Sequence, residues 1–318
     1  MQKLYLSKSS STVINTLKSL KEKGLIKDIQ NLSVQNARIE FSKIRAHFSY
    51  KKKIDVLIKK DFKIENIPVR YYRGKNKSKN ETLPIMIYFH GGGWVLGNVD
   101  THDQVCSILV NKGKYDLISV EYSLAPESIF PKAINESKKI LKSISKNKYG
   151  LKINNNKIIL CGDSAGGNIA TVLADYNKNN LKANVIFQVL VYPATHMFSK
   201  YESKNKYEGL ILNKKLMKWF ESHYCPKNIR KKYINDSRLS PIKNKNMKGM
   251  PNTLIVLAEC DPLYDEGLLY GKKLKENNVK VEIKVYRGLM HGFLTMGGAI
   301  KELNSVISFI NKKINTYL

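Results

Sequence analysis

Lys157-Ile158-Ile159-Leu160-Cys161 runs without a break into Gly162-Asp163-Ser164-Ala165-Gly166-Gly167-Asn168, and the reading of that junction decides the fold. The apolar run reads as a buried strand, and helical periodicity follows over Asn168 to Lys178. A serine between two glycines at such a junction is the G-x-S-x-G arrangement, in which the chain turns sharply from strand to helix. Gly162 and Gly166 omit the Cβ atoms that would collide in so tight a turn. Ser164 is thereby presented at the edge of a sheet, where a nucleophile has to stand.

The same alternation extends outward in both directions. Ile85 to Phe89 and Leu117 to Tyr122 lie before the junction, and Val185 to Tyr192, Thr253 to Ala258 and Val279 to Tyr286 lie after it. Runs this apolar on both faces are expected of parallel strands covered by helices on either side. Segments such as Pro131 to Ser145 supply the helices, so the pattern reads as a doubly wound α/β sheet. Asp55 to Ile64 and Ile67 to Tyr72 read as a β-hairpin, with Glu65 and Asn66 at its turn. Two segments stand outside the alternation. Residues 1–54 look helical, and residues 195–250 form an insertion with an amphipathic helix over Asn213 to His223. An insertion of that length is too long for an idle loop in a compact domain, and a lid or cap is the expected role.

A serine nucleophile needs hydrogen-bond donors for the oxyanion it creates, a base and an acid. His90-Gly91-Gly92-Gly93-Trp94 follows directly on the run Ile85 to Phe89. Consecutive glycines let backbone amides face a cavity with no side chain in the way. Gly91, Gly92 and Gly93 are therefore candidate donors together with Ala165, with the amides of Gly92, Gly93 and Ala165 favoured. On sheets that carry such an elbow the partners follow in the order serine, acid, histidine, which leaves His196, His223 and His291. The first two fall in the insertion, whereas His291 lies just beyond the last strand, where a loop can reach the elbow. Asp261 leaves the end of the run Thr253 to Ala258, and Pro262 stiffens the loop behind it. Asp265 and Glu266 read instead as first-turn acids of the next helix, and together with Glu259 they are the remaining candidates for the acid. Trp94, Met197, Tyr201, Trp219, Phe220 and Phe293 are candidates for the substrate pocket.

Composition narrows the alternatives. The chain has 318 residues, of which 42% are hydrophobic, enough for a sizeable core. Its net charge of +29 is segmental. Residues 1–80 carry 20 basic and 6 acidic side chains, and residues 195–250 carry 14 and 4, which leaves only +5 for the rest. Only seven of the 55 basic residues are Arg, at 38, 45, 70, 73, 230, 238 and 287. Phosphate and base recognition favours the guanidinium, so a nucleic-acid partner is not expected, and the lysines read mainly as solvated faces. Cys106, Cys161, Cys225 and Cys260 stand far apart with no C-x-x-C pair, which fits a reducing compartment and gives no metal site. The first twenty residues lack the apolar run of a signal peptide, and no apolar stretch reaches the ~20 residues of a membrane span. A cytoplasmic protein without membrane insertion is expected.

Five blocks in order, HGGGW at 90–94, EYSLAPE at 121–127 with FPKA at 130–133, GDSAGGN at 162–168, CDPLYDEG at 260–267 and HGF at 291–293, resemble the hormone-sensitive-lipase-like branch of the α/β-hydrolases, also called bacterial family IV esterases. The resemblance spans roughly Ile85 to Phe293. It implies a mostly parallel eight-stranded sheet with helices on both faces and a helical cap. The organisation is then one catalytic domain, with a core of residues 55–194 and 251–318, an N-terminal cap segment 1–54 and a cap insertion 195–250. It also implies a carboxylic-ester hydrolase for short to medium acyl chains, with Ser164, Asp261 and His291 as triad and no metal or organic cofactor. The partner implied is a small-molecule ester, and a second copy of the chain is the other candidate partner. Where the family usually has Asp-Tyr-Arg this chain has Glu121-Tyr122-Ser123, which leaves the usual structural ion pair unaccounted for. Two other readings remain on the same scaffold: an amide or formamide hydrolase like the arylformamidases, and a non-catalytic receptor, which would lack the histidine at position 291.

Overall fold

In the computed structural model the described residues are 5–318; residues 1–4, at the start of the expected helical segment, lie outside them. The chain begins with two helices, α1 (Lys8–Glu22) and α2 (Val34–Phe48), each capped by a serine hydroxyl that accepts from a first-turn amide. A hairpin follows, β1 (Ile58–Ile64) and β2 (Ile67–Arg73). Glu65 and Asn66 both take positive φ at its two-residue turn, the geometry that matches the twist of the flanking strands.

From there strands and helices alternate: β3 (Leu83–Phe89), α3 (Asp103–Lys112), β4 (Asp116–Val120), α4 (Lys132–Ser145), β5 (Ile153–Asp163), α5 (Ala165–Tyr176) and β6 (Val185–Val191). Residues 195–250 contain α6 (Ser203–Lys206), α7 (Lys214–Tyr224) and α8 (Lys227–Tyr233). The chain closes with β7 (Asn252–Cys260), α9 (Tyr264–Glu276), β8 (Val281–Met290) and α10 (Leu303–Asn315). The sheet has eight strands in the order β1-β2-β4-β3-β5-β6-β7-β8. β1 pairs with β2 and β2 with β4 antiparallel, and every other pairing is parallel.

Strand alternation divides the core in two. Ile85, Ile87 and Phe89 of β3, with Ile158 and Leu160 of β5, face the layer that holds α4, α5 and α9. Met86 and Tyr88, with Ile159 and Cys161, face the layer that holds α3 and α10. Both faces are covered, which is why these runs are continuously apolar. Each fully buried Ile or Leu contributes about 1.5–3 kcal/mol from area removed from water. All four cysteines are buried and unpaired. No described helix is long and apolar enough to cross a membrane.

Among the boundaries that differ from the periodicity, two bear on the site. α5 starts at Ala165, immediately after the serine, because Gly166 and Gly167 carry no apolar signal although both are buried in the helix. β8 continues to Met290, and so delivers His291 directly from the end of a strand.

Candidate active site

Ser164 sits between β5 and α5 with φ 54° and ψ −118°, a conformation costly for a residue with a Cβ. The neighbouring glycines make the turn sterically feasible. A Cβ on Gly162 would lie 2.3 Å from the Gly166 carbonyl oxygen, and one on Gly166 would lie 1.9 Å from that of Phe89. The backbones of β3, β5 and α5 therefore meet where no side chain could intervene. Ser164 in turn donates its amide hydrogen to the Val191 carbonyl oxygen, which ties the turn to β6.

His291 reaches the serine from the end of β8. Its Nε2 lies 3.0 Å from Ser164 Oγ, and its Nδ1 lies 2.7 Å from Asp261 Oδ2. Asp261 is fully buried, and its other oxygen accepts from the Leu263 amide at 2.8 Å. With Nδ1–H donating to Asp261, Nε2 is left as the acceptor for the serine proton. The other two downstream histidines are engaged elsewhere: His196 Nδ1 lies 2.8 Å from the Tyr201 hydroxyl, and His223 Nδ1 donates to the Trp219 carbonyl.

The glycine loop divides its work. Gly91 faces the same cavity as Ser164, but its amide donates to Asp163 Oδ1 at 3.0 Å, which removes it from the expected donor set. Asp163 also accepts from the Tyr88 hydroxyl at 2.7 Å and lies 3.3 Å from His102 Nε2. Burial pushes the Asp163 carboxyl up, but His102 and Tyr88 outweigh it and the group stays below its ordinary range. The aspartate beside the nucleophile is thus a brace for the glycine loop, a role its place in the motif does not announce. Among the described residues the amides of Gly92, Gly93 and Ala165 have no acceptor, so they are free to donate to a bound group.

A cavity of about 210 Å³ opens above these groups. Its walls come from three parts of the chain: Ile14, Phe41 and Arg45 of α1 and α2, Leu216 and Phe220 of α7, and the glycine loop itself. Of the six pocket candidates, Trp94, Met197 and Phe220 line it. Tyr201, Trp219 and Phe293 do not. Tyr201 turns to His196, and Trp219, one helical step round from Phe220, packs on His223 with ring centroids 4.4 Å apart. Phe293 is fully buried against Tyr192 beneath the site. Arg45 had no local motif; its one distinction in the sequence is that arginine is rare in this chain.

Asp265 and Glu266 stand in the first turn of α9 as expected, and both also reach beyond it. Glu266 lies in the first turn of α9, yet it accepts from the Thr195 and His196 amides and pairs with Lys204 at 3.1 Å. Asp265 accepts from the Ser203 amide. Both tie the start of the 195–250 segment to the core. In the LAPE block, the Ser123 amide and hydroxyl both donate to Glu136, and Glu121 accepts from the Val99 amide. These contacts at positions 121–123 come from neutral donors, while Glu127 of the same block pairs with Arg38 at 2.6 Å and Glu136 lies 3.6 Å from Lys132.

The model of a family described as having the α/β-hydrolase fold matches residues 86–295. Ethyl acetate hydrolase of Pseudomonas putida is 30% identical over 255 residues, covering 79% of each chain. Carboxylesterase NlhH of Mycobacterium tuberculosis is 34% identical over 233 residues, covering 73% of this chain and 72% of its own. Among solved structures, a hyperthermophilic esterase from the archaeon Pyrobaculum calidifontis superposes with a TM-score of 0.89 at 33% identity, covering 98% of this chain and 99% of that one. With the elbow, the glycine loop and the ordering of the site in agreement, the chain belongs to the α/β-hydrolases, in their hormone-sensitive-lipase-like branch of carboxylesterases.

Proposed function

We propose that this protein hydrolyses carboxylic esters of short to medium acyl chain, with Ser164 as nucleophile, His291 as general base and acid, and Asp261 as its orienting acid. The observation that carries the reading is the unbroken line from Ser164 Oγ through both ring nitrogens of His291 to Asp261. His291 takes the serine proton as Oγ attacks the ester carbonyl, and the amides of Gly92, Gly93 and Ala165 receive the oxyanion. His291 then protonates the departing alcohol, and water repeats the sequence on the acyl-enzyme. Asp261 stabilises the imidazolium formed in each half-reaction. On this reading residues 1–54 and 195–250 act as the cap, since both supply walls of the cavity. A receptor role is disfavoured by the engagement of His291 with Ser164.

Ser164→Ala should lower hydrolysis of a short-chain p-nitrophenyl ester on the order of 10³-fold or more while the circular dichroism spectrum and thermal midpoint stay close to those of the parent. Full activity in a folded variant would remove Ser164 from the mechanism. Matched ester and formamide substrates, assayed in parallel, decide which carbonyl the enzyme prefers.

A further inference from the structure

Arg38, Arg70, Arg73 and Arg238 each sit against a carboxylate. Arg45, among the described residues, does not, although it is only 8% exposed. Its guanidinium carbon lies 4.7 Å from the centre of the Phe41 ring, one turn earlier on α2. One donor, Nη1, reaches the Gly292 carbonyl at 3.2 Å, and Nε is buried without a partner. A buried cation that spends one of its five N–H groups is costly, and a site that keeps one needs an anion to answer it.

The setting is the cavity that also holds Ser164 and His291. Gly292, the residue after His291, makes room for the guanidinium: a Cβ there would lie 2.9 Å from Arg45 Nη2. The acidic groups around the cavity are already occupied. Asp28 pairs with Lys21 and Glu266 with Lys204, Glu221 accepts from the Phe198 amide, and Asp163 is held by Tyr88, Gly91 and His102. Burial lowers the Arg45 pKa, the charges of Tyr192 and Asp163 oppose that shift, and among the described residues no carboxylate stands within ion-pair distance of the guanidinium.

Resting on the ester-hydrolase reading above, we propose that Arg45 is the anion-binding element of the substrate pocket, and that the preferred ester carries a carboxylate close to its scissile bond. The planar fork of a guanidinium suits a carboxylate in two-point contact, and the apolar walls around it strengthen the pairing. The carboxylate can come from either side of the ester, the far end of a short dicarboxylic acyl chain or the acid group of a hydroxy-acid alcohol.

The test measures kcat/KM at fixed ionic strength by titration of released acid. One series sets monoethyl succinate, glutarate and adipate against ethyl esters of matching neutral acids. The other sets O-acetyl hydroxy acids against their amides. The expected result is a preference for the anionic member in one series, reduced at least tenfold in ratio by Arg45→Gln and partly kept by Arg45→Lys. The series that shows the preference names the side of the ester. No preference in either series, or a ratio unchanged in Arg45→Gln because both members fall together, overturns the proposal and leaves Arg45 as a prop for the Gly292 loop. On the parent enzyme, succinate, glutarate or adipate should inhibit a neutral ester competitively and more tightly than the corresponding diamide; equal or weaker inhibition also overturns it. Failure of Ser164 to react with a fluorophosphonate, with no ester cleaved, would instead strike the function on which the proposal rests.

Discussion

His90 shows how a single buried side chain makes the stability of the site depend on pH. It is fully buried, stacked on Tyr122 with ring centroids 4.3 Å apart, and its Nε2 has no partner. Burial, helped by repulsion from His102, holds its pKa down to about 3. The unfolded chain therefore binds a proton near pH 6.5 that the folded chain refuses until about pH 3, so stability is complete above pH 6.5 and drains away below it. The expected loss from this residue is about 1.4 kcal/mol per pH unit across that window. Urea midpoints for the parent and His90→Asn at stepped pH check it: the variant should decline less steeply, and parallel slopes would show that His90 protonates freely. The residue scale is also where the sequence was most and least informative. Ser164, Gly162 and Gly166 announced themselves because the turn they build is written within five consecutive residues. Arg45 could not, since its hydrogen-bond partner among the described residues lies 247 positions away.

At the scale of elements, the antiparallel edge of the sheet is held by an ion pair and a tyrosine hydroxyl. Asp116, at the start of β4, accepts from Arg73 Nε at 3.0 Å and from the Tyr71 hydroxyl at 2.6 Å, both on β2. Arg73 also donates to the carbonyls of Ser78, Lys79 and Lys152, so the pair is buried but fully bonded. Arg73→Met would leave the Asp116 carboxylate without its counter-charge and should cost about 3–5 kcal/mol, read from the shift in the urea midpoint. A loss below about 1 kcal/mol would mean the carboxylate simply takes up a proton. The strands themselves were legible, because burial on both faces prints an apolar run. The start of α5 was not, because glycine and alanine carry a close helix-to-strand approach without an amphipathic pattern. Asp265 and Glu266 do open α9 as read, but a helix start explains an acid locally and so hides their further partners, which lie some 60–70 residues earlier in the chain.

Across the whole molecule, the charge is arranged by segment. Most of the +29 lies on residues 1–80 and 195–250, and both stretches contribute walls to the cavity over Ser164. Exposed lysines there should draw anionic esters inward by a field that salt screens over about 10 Å at 0.1 M. Raising ionic strength from about 20 to about 200 mM should therefore lower kcat/KM for anionic esters and leave neutral ones unchanged. Arg45→Gln should keep that salt slope, because a buried contact is screened far less than a surface field; equal salt responses for both ester types would leave the surface charge without a part in catalysis.

Phe220 and Tyr224, one turn apart on α7, both touch the glycine loop. A Cβ on Gly93 would meet the Phe220 ring at 2.3 Å, and Trp94 stacks on Tyr224 with centroids 4.5 Å apart and planes 1° from parallel. The segment that shapes the pocket is thus also part of the scaffolding of the proposed oxyanion donors. Specificity in this enzyme is consequently not a detachable module: a chimaera that imports residues 195–250 from a relative inherits a working pocket only if residues 90–94 travel with them, and laboratory evolution should find its pocket mutations coming in pairs across that seam.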